Sequence, residues 1–223
     1  MNLKNNYYFF QSALSPKLCN DIIAYGKQQK PQMAITGGSD EDKHKKADGT
    51  LKKSVINNIQ KKRKSDIVWM SDRWIYKEIH PLIHEANAKA GWNFNWDHSE
   101  PCQFTKYGVG QYYGWHCDSW EVPYNRKKLE DGTYPIDHGK IRKLSVTISL
   151  NDPDEYDGGN LEFDFRNQVD WERNRKKAIK ACEEIRPRGS VIVFPSFMWH
   201  RVAPVTRGTR YSLVIWNLGY PFK

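Results

Sequence analysis

The chain has 223 residues, with 35 Lys and Arg against 26 Asp and Glu, for a formal net charge of +9. That length suits one domain with a full core, and nine Trp and twelve Tyr help to supply it. The first ten residues lack the apolar run of a secretory leader, nothing approaches a membrane span, and Cys19, Cys102, Cys117 and Cys182 form no C-x-x-C pair. These features speak against secreted, disulfide-stapled and transmembrane classes, and the expectation is a cytoplasmic protein with reduced thiols, monomeric or dimeric.

Tyr7 to Phe10 reads as a short aromatic strand. Ser15-Pro16 then gives an N-cap with proline at the first helical position, and Leu18, Ile22, Ile23 and Tyr25 follow at helical spacing. From Thr36 to Asp66 the composition turns to Gly, Asp, Lys and Asn. Gly37-Gly38 and Asp48-Gly49 mark turns, and a short helix is expected over Leu51 to Gln60. Between positions 43 and 64 of this excursion, Lys43, Lys45, Lys46, Lys52, Lys53, Lys61, Lys62, Arg63 and Lys64 face only Asp48. Such a run reads first as a solvated face, and second as a dock for an acidic partner. No aromatics interleave with the charges, which weakens a single-strand nucleic-acid reading.

Asp66 to Met70 is the next expected strand. Trp74 through Ala90 has the apolar spacing of an amphipathic helix, with Pro81 as an irregularity. After Gly91 the pattern changes to short β-rich runs: 103–107, 112–118, 143–150, 160–165, 190–194, 200–202 and 211–218. Turn signals at Gly108, Asp157-Gly158-Gly159, Pro187-Arg188-Gly189 and Arg207-Gly208 separate them. Helices followed by about eight short strands predict an α+β, mainly β fold: a double-sheet jelly roll buttressed by N-terminal helices. The expected organisation is one catalytic unit over 1–223. Residues 1–100 provide helical and edge-strand support, with a basic insertion at 36–66, and 101–219 form the core. The long interruption from Ser119 to Lys140 directly follows the chemically richest stretch, as a lid or substrate clamp would.

That stretch is His116-Cys117-Asp118. On a strand, side chains two apart share a face, so His116 and Asp118 point together. His200 lies over eighty residues on, after Phe194-Pro195, at the start of another strand. Two imidazoles and a carboxylate form a facial triad that leaves three positions of an octahedral Fe(II) open. Arg210 opens the following strand and Ser212 lies on the same face. Together they suit the far carboxylate of a keto-diacid, which Arg can grip bidentately where Lys cannot. Either histidine alone would read as an ordinary core or surface residue; the constellation is what carries the metal reading.

Over roughly Ser65 to Gly219 the chain resembles the 2-oxoglutarate/Fe(II) oxygenases, and within them the prolyl 4-hydroxylase-like branch. The resemblance rests on Phe104-Thr105-Lys106-Tyr107, Tyr113-Gly114-Trp115-His116-Cys117-Asp118 and Arg142-Lys143-Leu144-Ser145 running into Ser149-Leu150-Asn151. It continues through Gly158-Gly159-Asn160-Leu161, His200-Arg201-Val202-Ala203-Pro204 and Thr209-Arg210-Tyr211-Ser212. It implies a double-stranded β-helix, with iron on His116, Asp118 and His200, the C5-carboxylate of 2-oxoglutarate on Arg210, and Tyr107 lining the co-substrate pocket. O2 would be the second co-substrate, succinate and CO2 the products, and ascorbate a candidate reductant. In one departure, oxygen-sensing prolyl hydroxylases carry a tyrosine where this chain has Ser149. Either Ser149, Thr147 or Ser212 replaces its hydrogen bond, or the co-substrate sits differently.

Two positions bear on the substrate. AlkB-type nucleic-acid demethylases have a second arginine six residues beyond the first, where this chain has Trp216. Prolyl hydroxylases have tryptophan there, and the resemblance gives it a place in the wall around the target proline; core packing is the plainer alternative. Tyr113 would be a second wall, since apolar ring faces suit a pyrrolidine. Arg142 matches an arginine that contacts the peptide, or is a surface charge before a strand. The expected substrate is thus a proline-containing protein or peptide, acidic if the basic run docks it. Another amino-acid side chain or small metabolite is the alternative; nucleic acid and membrane are not expected.

Overall fold

The computed structural model describes residues 3, 5–34, 52–119, 122–165 and 178–222. In chain order the elements are β1 (Tyr8–Phe10), α1 (Pro16–Gln28), β2 (Gln32–Met33), α2 (Lys53–Lys62), β3 (Arg63–Lys64), β4 (Asp66–Met70), α3 (Arg73–Lys89), β5 (His98–Ser99), β6 (Cys102–Tyr107) and β7 (Tyr112–His116). They continue with β8 (Ile141–Ser149), β9 (Tyr156–Gly158), β10 (Leu161–Asp164), β11 (Ile179–Ala181), β12 (Val191–Pro195), β13 (Trp199–Val202), β14 (Val205–Gly208) and β15 (Arg210–Gly219). The turns expected at Gly37-Gly38 and Asp48-Gly49 lie outside the described residues.

Among the described residues the strands form an eight-stranded sheet in the order β1-β12-β8-β15-β6-β4-β2, with β5 also on β15, a five-stranded sheet in the order β11-β10-β13-β7-β3, and a separate β14-β9 pair. All the pairings are antiparallel, and the two larger sheets make the expected double-stranded β-helix. Within 1–100, β4 lies between β6 and the short β2 at one side of the large sheet. No described helix is long and apolar enough to cross a membrane.

Strict alternation in the large sheet divides its work. Leu144, Val146 and Ile148 of β8, Leu213 and Ile215 of β15, Cys102 and Phe104 of β6, and Val191 and Val193 of β12 face one way. They pack on Ile22 of α1 and on Ile75, Ile79, Ile83 and Ala86 of α3, one helical face at spacings of three and four. α1 starts as its sequence predicts: Ser15 Oγ accepts the Leu18 N–H and Pro16 opens the helix. α3 continues through Pro81.

The opposite face of the same strands is polar yet buried: Ser145, Thr147 and Ser149 of β8, Arg210 and Ser212 of β15, and Gln103 and Thr105 of β6. Polar groups are held away from water only where they have partners or a ligand to meet. This face looks at the small sheet, and the cleft between the two is the candidate site.

One contact shows how tightly the helix layer sits. A Cβ at Gly26 of α1 would come within 2.6 Å of the Phe104 ring, which is itself stacked on Tyr211. Gly26→Ala should therefore destabilise the fold. The helix-propensity gain of about 1 kcal/mol is smaller than or comparable to an overpacking cost of about 1–3 kcal/mol. Urea denaturation checks this; a more stable variant would show that the ring yields freely.

Candidate metal and co-substrate site

β7 and β13 are neighbours in the small sheet, and their register puts His116 opposite His200. The imidazole centroids are 4.1 Å apart. Each ring is anchored through Nδ1, His116 to the Gly114 carbonyl at 2.8 Å and His200 to the Met198 carbonyl at 2.9 Å. A carbonyl only accepts, so Nδ1 carries the proton in each ring and both Nε2 lone pairs point inward.

Asp118 reaches the same point by a different route from the one the sequence suggested. β7 ends at His116, so Asp118 does not lie on the strand. Instead its N–H and that of Ser119 both donate to the Ser196 carbonyl, at 2.8 and 2.9 Å. Ser145 Oγ donates to Asp118 Oδ2 at 2.7 Å and lies 2.9 Å from Ser196 Oγ. The carboxylate is 3.6 Å from each Nε2, through Oδ1 to His116 and Oδ2 to His200. The three ligand atoms lie within 4.8 Å of one another.

Burial and the neighbouring His200 push the His116 imidazole down to about 3, so it is neutral. For Asp118 burial acts in the raising direction, but His200, His116, Arg142 and the Ser145 hydroxyl outweigh it and hold the carboxyl below its ordinary range. A metal ion is bound by deprotonated imidazoles, and two of them with one carboxylate suit a single divalent cation.

Arg210 lies in the same cleft, 2% exposed, and Tyr107 is its partner across the β6–β15 ladder. Its guanidinium is 5.5 Å from the Tyr107 ring centroid, and Nη1 donates to Ser212 Oγ at 3.2 Å. Arg210 Nη2 is buried without a partner, and so is Ser149 Oγ, on the residue that pairs with Ser212. A buried donor left unpaired costs about 1–3 kcal/mol, and a dicarboxylate is the kind of group that would pair both. The donor set fits 2-oxoglutarate. Thr147 lies further along the same face, opposite Val214. Gly159, with φ +60°, makes room for this arginine, because a Cβ there would come within 2.9 Å of Arg210 Cδ.

The three expected substrate residues are brought to the cleft, each in a setting the sequence did not reveal. Tyr113 lies flat on the His116 imidazole, with centroids 3.5 Å apart and an interplanar angle of 14°. Trp216 is 4% exposed, on the cleft face rather than in the helix-backed core, and its Nε1 has no partner. Arg142 stacks 3.9 Å above the Trp216 ring and pairs through both its Nε and Nη2 with Glu100. It is therefore neither a free surface charge nor a guanidinium with open donors on every side. Tyr124, in the 119–140 segment, donates to the same Glu100 at 2.8 Å, so the segment is tied to Arg142 through one carboxylate. Residues 120 and 121 of that segment lie outside the described residues.

A further correction concerns the basic run. Lys52, Lys53, Lys61, Lys62 and Lys64 are exposed, but Arg63 is 3% exposed and turned into the cleft. Lys43, Lys45 and Lys46 lie outside the described residues. Sequence reading also gave no role to Ser145, Ser196 and Glu100. Ser145 carried a signal, as one of the polar residues alternating with Leu144, Val146 and Ile148. Glu100 carried none, since its partner is 42 residues away.

A jelly roll with two histidines and an aspartate at one end of its cleft and a buried arginine further along defines a metal- and dicarboxylate-binding protein. Comparison with known proteins agrees. The family described as the 2OG-Fe(II) oxygenase superfamily matches residues 102–217. A PKHD-type hydroxylase of Xanthomonas euvesicatoria is 30% identical over 149 residues, 66% of this chain and 57% of that protein. Another, of Teredinibacter turnerae, is 30% identical over 171 residues, 75% of this chain and 62% of that protein. The chain thus spans about half the length of the curated relatives it matches. Among solved structures, a Pseudomonas putida prolyl-4-hydroxylase shares the fold with a TM-score of 0.63 at 17% identity, covering 96% of this chain and 93% of that one. A viral collagen prolyl hydroxylase from Paramecium Bursaria Chlorella virus-1, solved as its 2OG complex, has a TM-score of 0.59 at 18% identity, each chain covered to 97%. The chain belongs to the 2OG-Fe(II) oxygenase superfamily.

Proposed function

We propose that this chain is a Fe(II)- and 2-oxoglutarate-dependent dioxygenase that hydroxylates prolyl residues, at the 4-position, in a protein or peptide. The observation that carries the oxygenase reading is the convergence of His116 Nε2, His200 Nε2 and the Asp118 carboxylate within 4.8 Å. When bound, iron and 2-oxoglutarate supply O2 activation coupled to decarboxylation, giving succinate, CO2 and a hydroxylated product.

The chain's own residues hold and orient. His116, Asp118 and His200 take the metal, with Nδ1–H bonds and the Ser145 hydroxyl fixing their angles. Arg210, Ser212 and Ser149 grip the C5-carboxylate beside Tyr107, and Thr147 lines the floor. Trp216 forms the substrate wall. Its buried ring face suits a pyrrolidine and its unpartnered Nε1–H suits a peptide carbonyl. Arg142 holds that indole from one face, and Tyr113 keeps the His116 ring in place. The segment from Ser119 to Lys140 acts as the substrate clamp, linked to the wall through Tyr124, Glu100 and Arg142. The four free cysteines fit a reducing setting such as the cytoplasm. Solved prolyl hydroxylases sharing this fold, one from Trichoplax adhaerens in complex with a hypoxia inducible factor peptide fragment, support the substrate class.

The test is succinate release with ascorbate present as reductant. A proline-rich peptide should stimulate it, and free proline and methylated oligonucleotide should not. Stimulation by another free amino acid, or by the oligonucleotide over every peptide, would replace the prolyl reading. Trp216→Ala should lower peptide-coupled turnover by roughly 30-fold, since truncating a buried aromatic at a binding surface costs about 2 kcal/mol or more. The slow peptide-independent decay of 2-oxoglutarate should fall far less, and Trp216→Phe should recover part of the coupled rate. Equal losses in both assays would place Trp216 in the core rather than the wall.

A further inference from the structure

Among the described residues Arg63 is the one buried member of a lysine-rich run, and nothing in the mechanism above uses it. β3 puts it at the edge of the small sheet, opposite Tyr113 of β7. The chain then crosses at Ser65 into β4 of the large sheet, and the Arg63 side chain is buried at that edge of the cleft. Its Nε donates to Ser65 Oγ at 2.9 Å and its Nη1 to Gln103 Oε1 at 3.4 Å. Gln103 is oriented in turn, its Nε2 donating to Thr105 Oγ1 at 3.0 Å. The guanidinium carbon lies 4.4 Å from the centroid of the Tyr113 ring. His116 covers one face of that ring at 3.5 Å, so Arg63 takes the other.

Nη2 has no partner at all. No carboxylate among the described residues is hydrogen-bonded to this guanidinium. Its two bonds go to neutral oxygens, and a buried cation held this way is costly without an anion. The cleft therefore has two arginines with one orphaned nitrogen each, Arg210 and Arg63. The co-substrate's two carboxylates are already provided for, one by Arg210 and one by the metal. Arg63 is separated from the metal ligands by the thickness of the Tyr113 ring, and its sequence neighbours Lys61, Lys62 and Lys64 are exposed. An anion reaching it would meet a fixed guanidinium in a net-basic stretch of chain.

We propose that Arg63 is a specificity residue whose Nη2 binds a carboxylate of the substrate, so that the preferred target carries an acidic group beside the residue to be hydroxylated. This rests on the prolyl hydroxylase reading and narrows it. Gln103 is the positioning residue, since its carbonyl oxygen fixes the plane of the guanidinium. The carboxylate can come from an Asp or Glu side chain or from a peptide C-terminus.

The experiment uses anaerobic protein loaded with Fe(II) and 2-oxoglutarate, and reads peptide affinity from tryptophan fluorescence. Acetylated proline pentapeptides are paired so that they differ only in Glu against Gln at each position flanking proline, and each is made with a free and an amidated C-terminus. Wild-type protein should bind one acidic member roughly 10- to 100-fold more tightly than its neutral partner, the range of a charge-assisted hydrogen bond to a buried group. The Glu/Gln arm and the acid/amide arm tell the two sources apart. Arg63→Gln should erase the preference and Arg63→Lys should restore part of it. Gln103→Leu should weaken it while leaving the guanidinium in place. Wild-type affinity for neutral proline peptides with no acidic preference at any position overturns this inference and leaves the prolyl reading standing. No affinity for any proline peptide overturns both. A preference intact in Arg63→Gln, with affinity for 2-oxoglutarate reduced instead, assigns Arg63 to the co-substrate and also overturns the inference. Because the wild-type comparison needs no substitution, the outcome does not depend on a variant's folding.

Discussion

Asp118→Ala is expected to abolish both Fe(II) binding and 2-oxoglutarate turnover while leaving the sheet structure in place. Asp118 supplies the only carboxylate among the three converging side chains. Without it two imidazoles remain, too weak a set to hold the divalent cation against water. His116→Ala and His200→Ala should behave alike, since each removes one of three ligands. The losses should exceed the roughly 10- to 100-fold that follows when a ligand merely loses its hydrogen-bonding partner. Ser145→Ala, which removes the 2.7 Å bond to Oδ2, provides that smaller benchmark. Fe(II) titration with succinate detection checks the series, and circular dichroism checks the fold. A variant with near-normal iron affinity and succinate output would remove its residue from the triad.

Arg210→Ala should leave iron bound and raise the apparent KM for 2-oxoglutarate. Charge-assisted hydrogen bonds contribute about 1.5–3 kcal/mol each, so one lost bond corresponds to roughly 10- to 150-fold. Arg210→Lys should recover only part of this, because a point charge cannot serve the Ser212 hydroxyl and a carboxylate in one plane. Ser149→Tyr is the companion change: rescue of Arg210→Lys by that tyrosine would mean that the carboxylate sits as it does in the oxygen-sensing enzymes the sequence resembles. Affinity for 2-oxoglutarate untouched by Arg210→Ala would remove this arginine from the site.

What could be read from the sequence was what depends on local period and end signals. The Ser15-Pro16 start of α1, the spacing of Ile75, Ile79 and Ile83 in α3, and the alternation in β8 each state a preference that the tertiary structure keeps. The pairing of His116 with His200 was inferred from composition and order, and the antiparallel register of β7 and β13 brings it about. Asp118 joins the two histidines by a route that strand alternation does not predict. Its position depends on the Ser196 carbonyl, 78 residues away, which no local pattern announces. The very short strands β2, β3 and β5 were missed because two residues carry no period at all. Missing β3 concealed Arg63. In a run of lysines it looked like one more solvated charge, and only the crossing between sheets at Ser65 turns it inward. Arg142 and Glu100 show the same limit, since a buried ion pair joining distant segments leaves no trace at either end.

The orphaned Arg210 Nη2 and Ser149 Oγ have a consequence for the protein's survival as well as its chemistry. Each is a small debit against a net folding stability that in ordinary domains is only about 5–15 kcal/mol. A dicarboxylate that satisfies both in the native state, and neither in the unfolded chain, acts as a folding ligand. At a hundred times its dissociation constant it adds about 2.7 kcal/mol of stability. Local opening and proteolytic attack then become rarer as the same metabolite that feeds turnover accumulates. Supply of that small molecule would set how long each copy lasts as well as how fast it works.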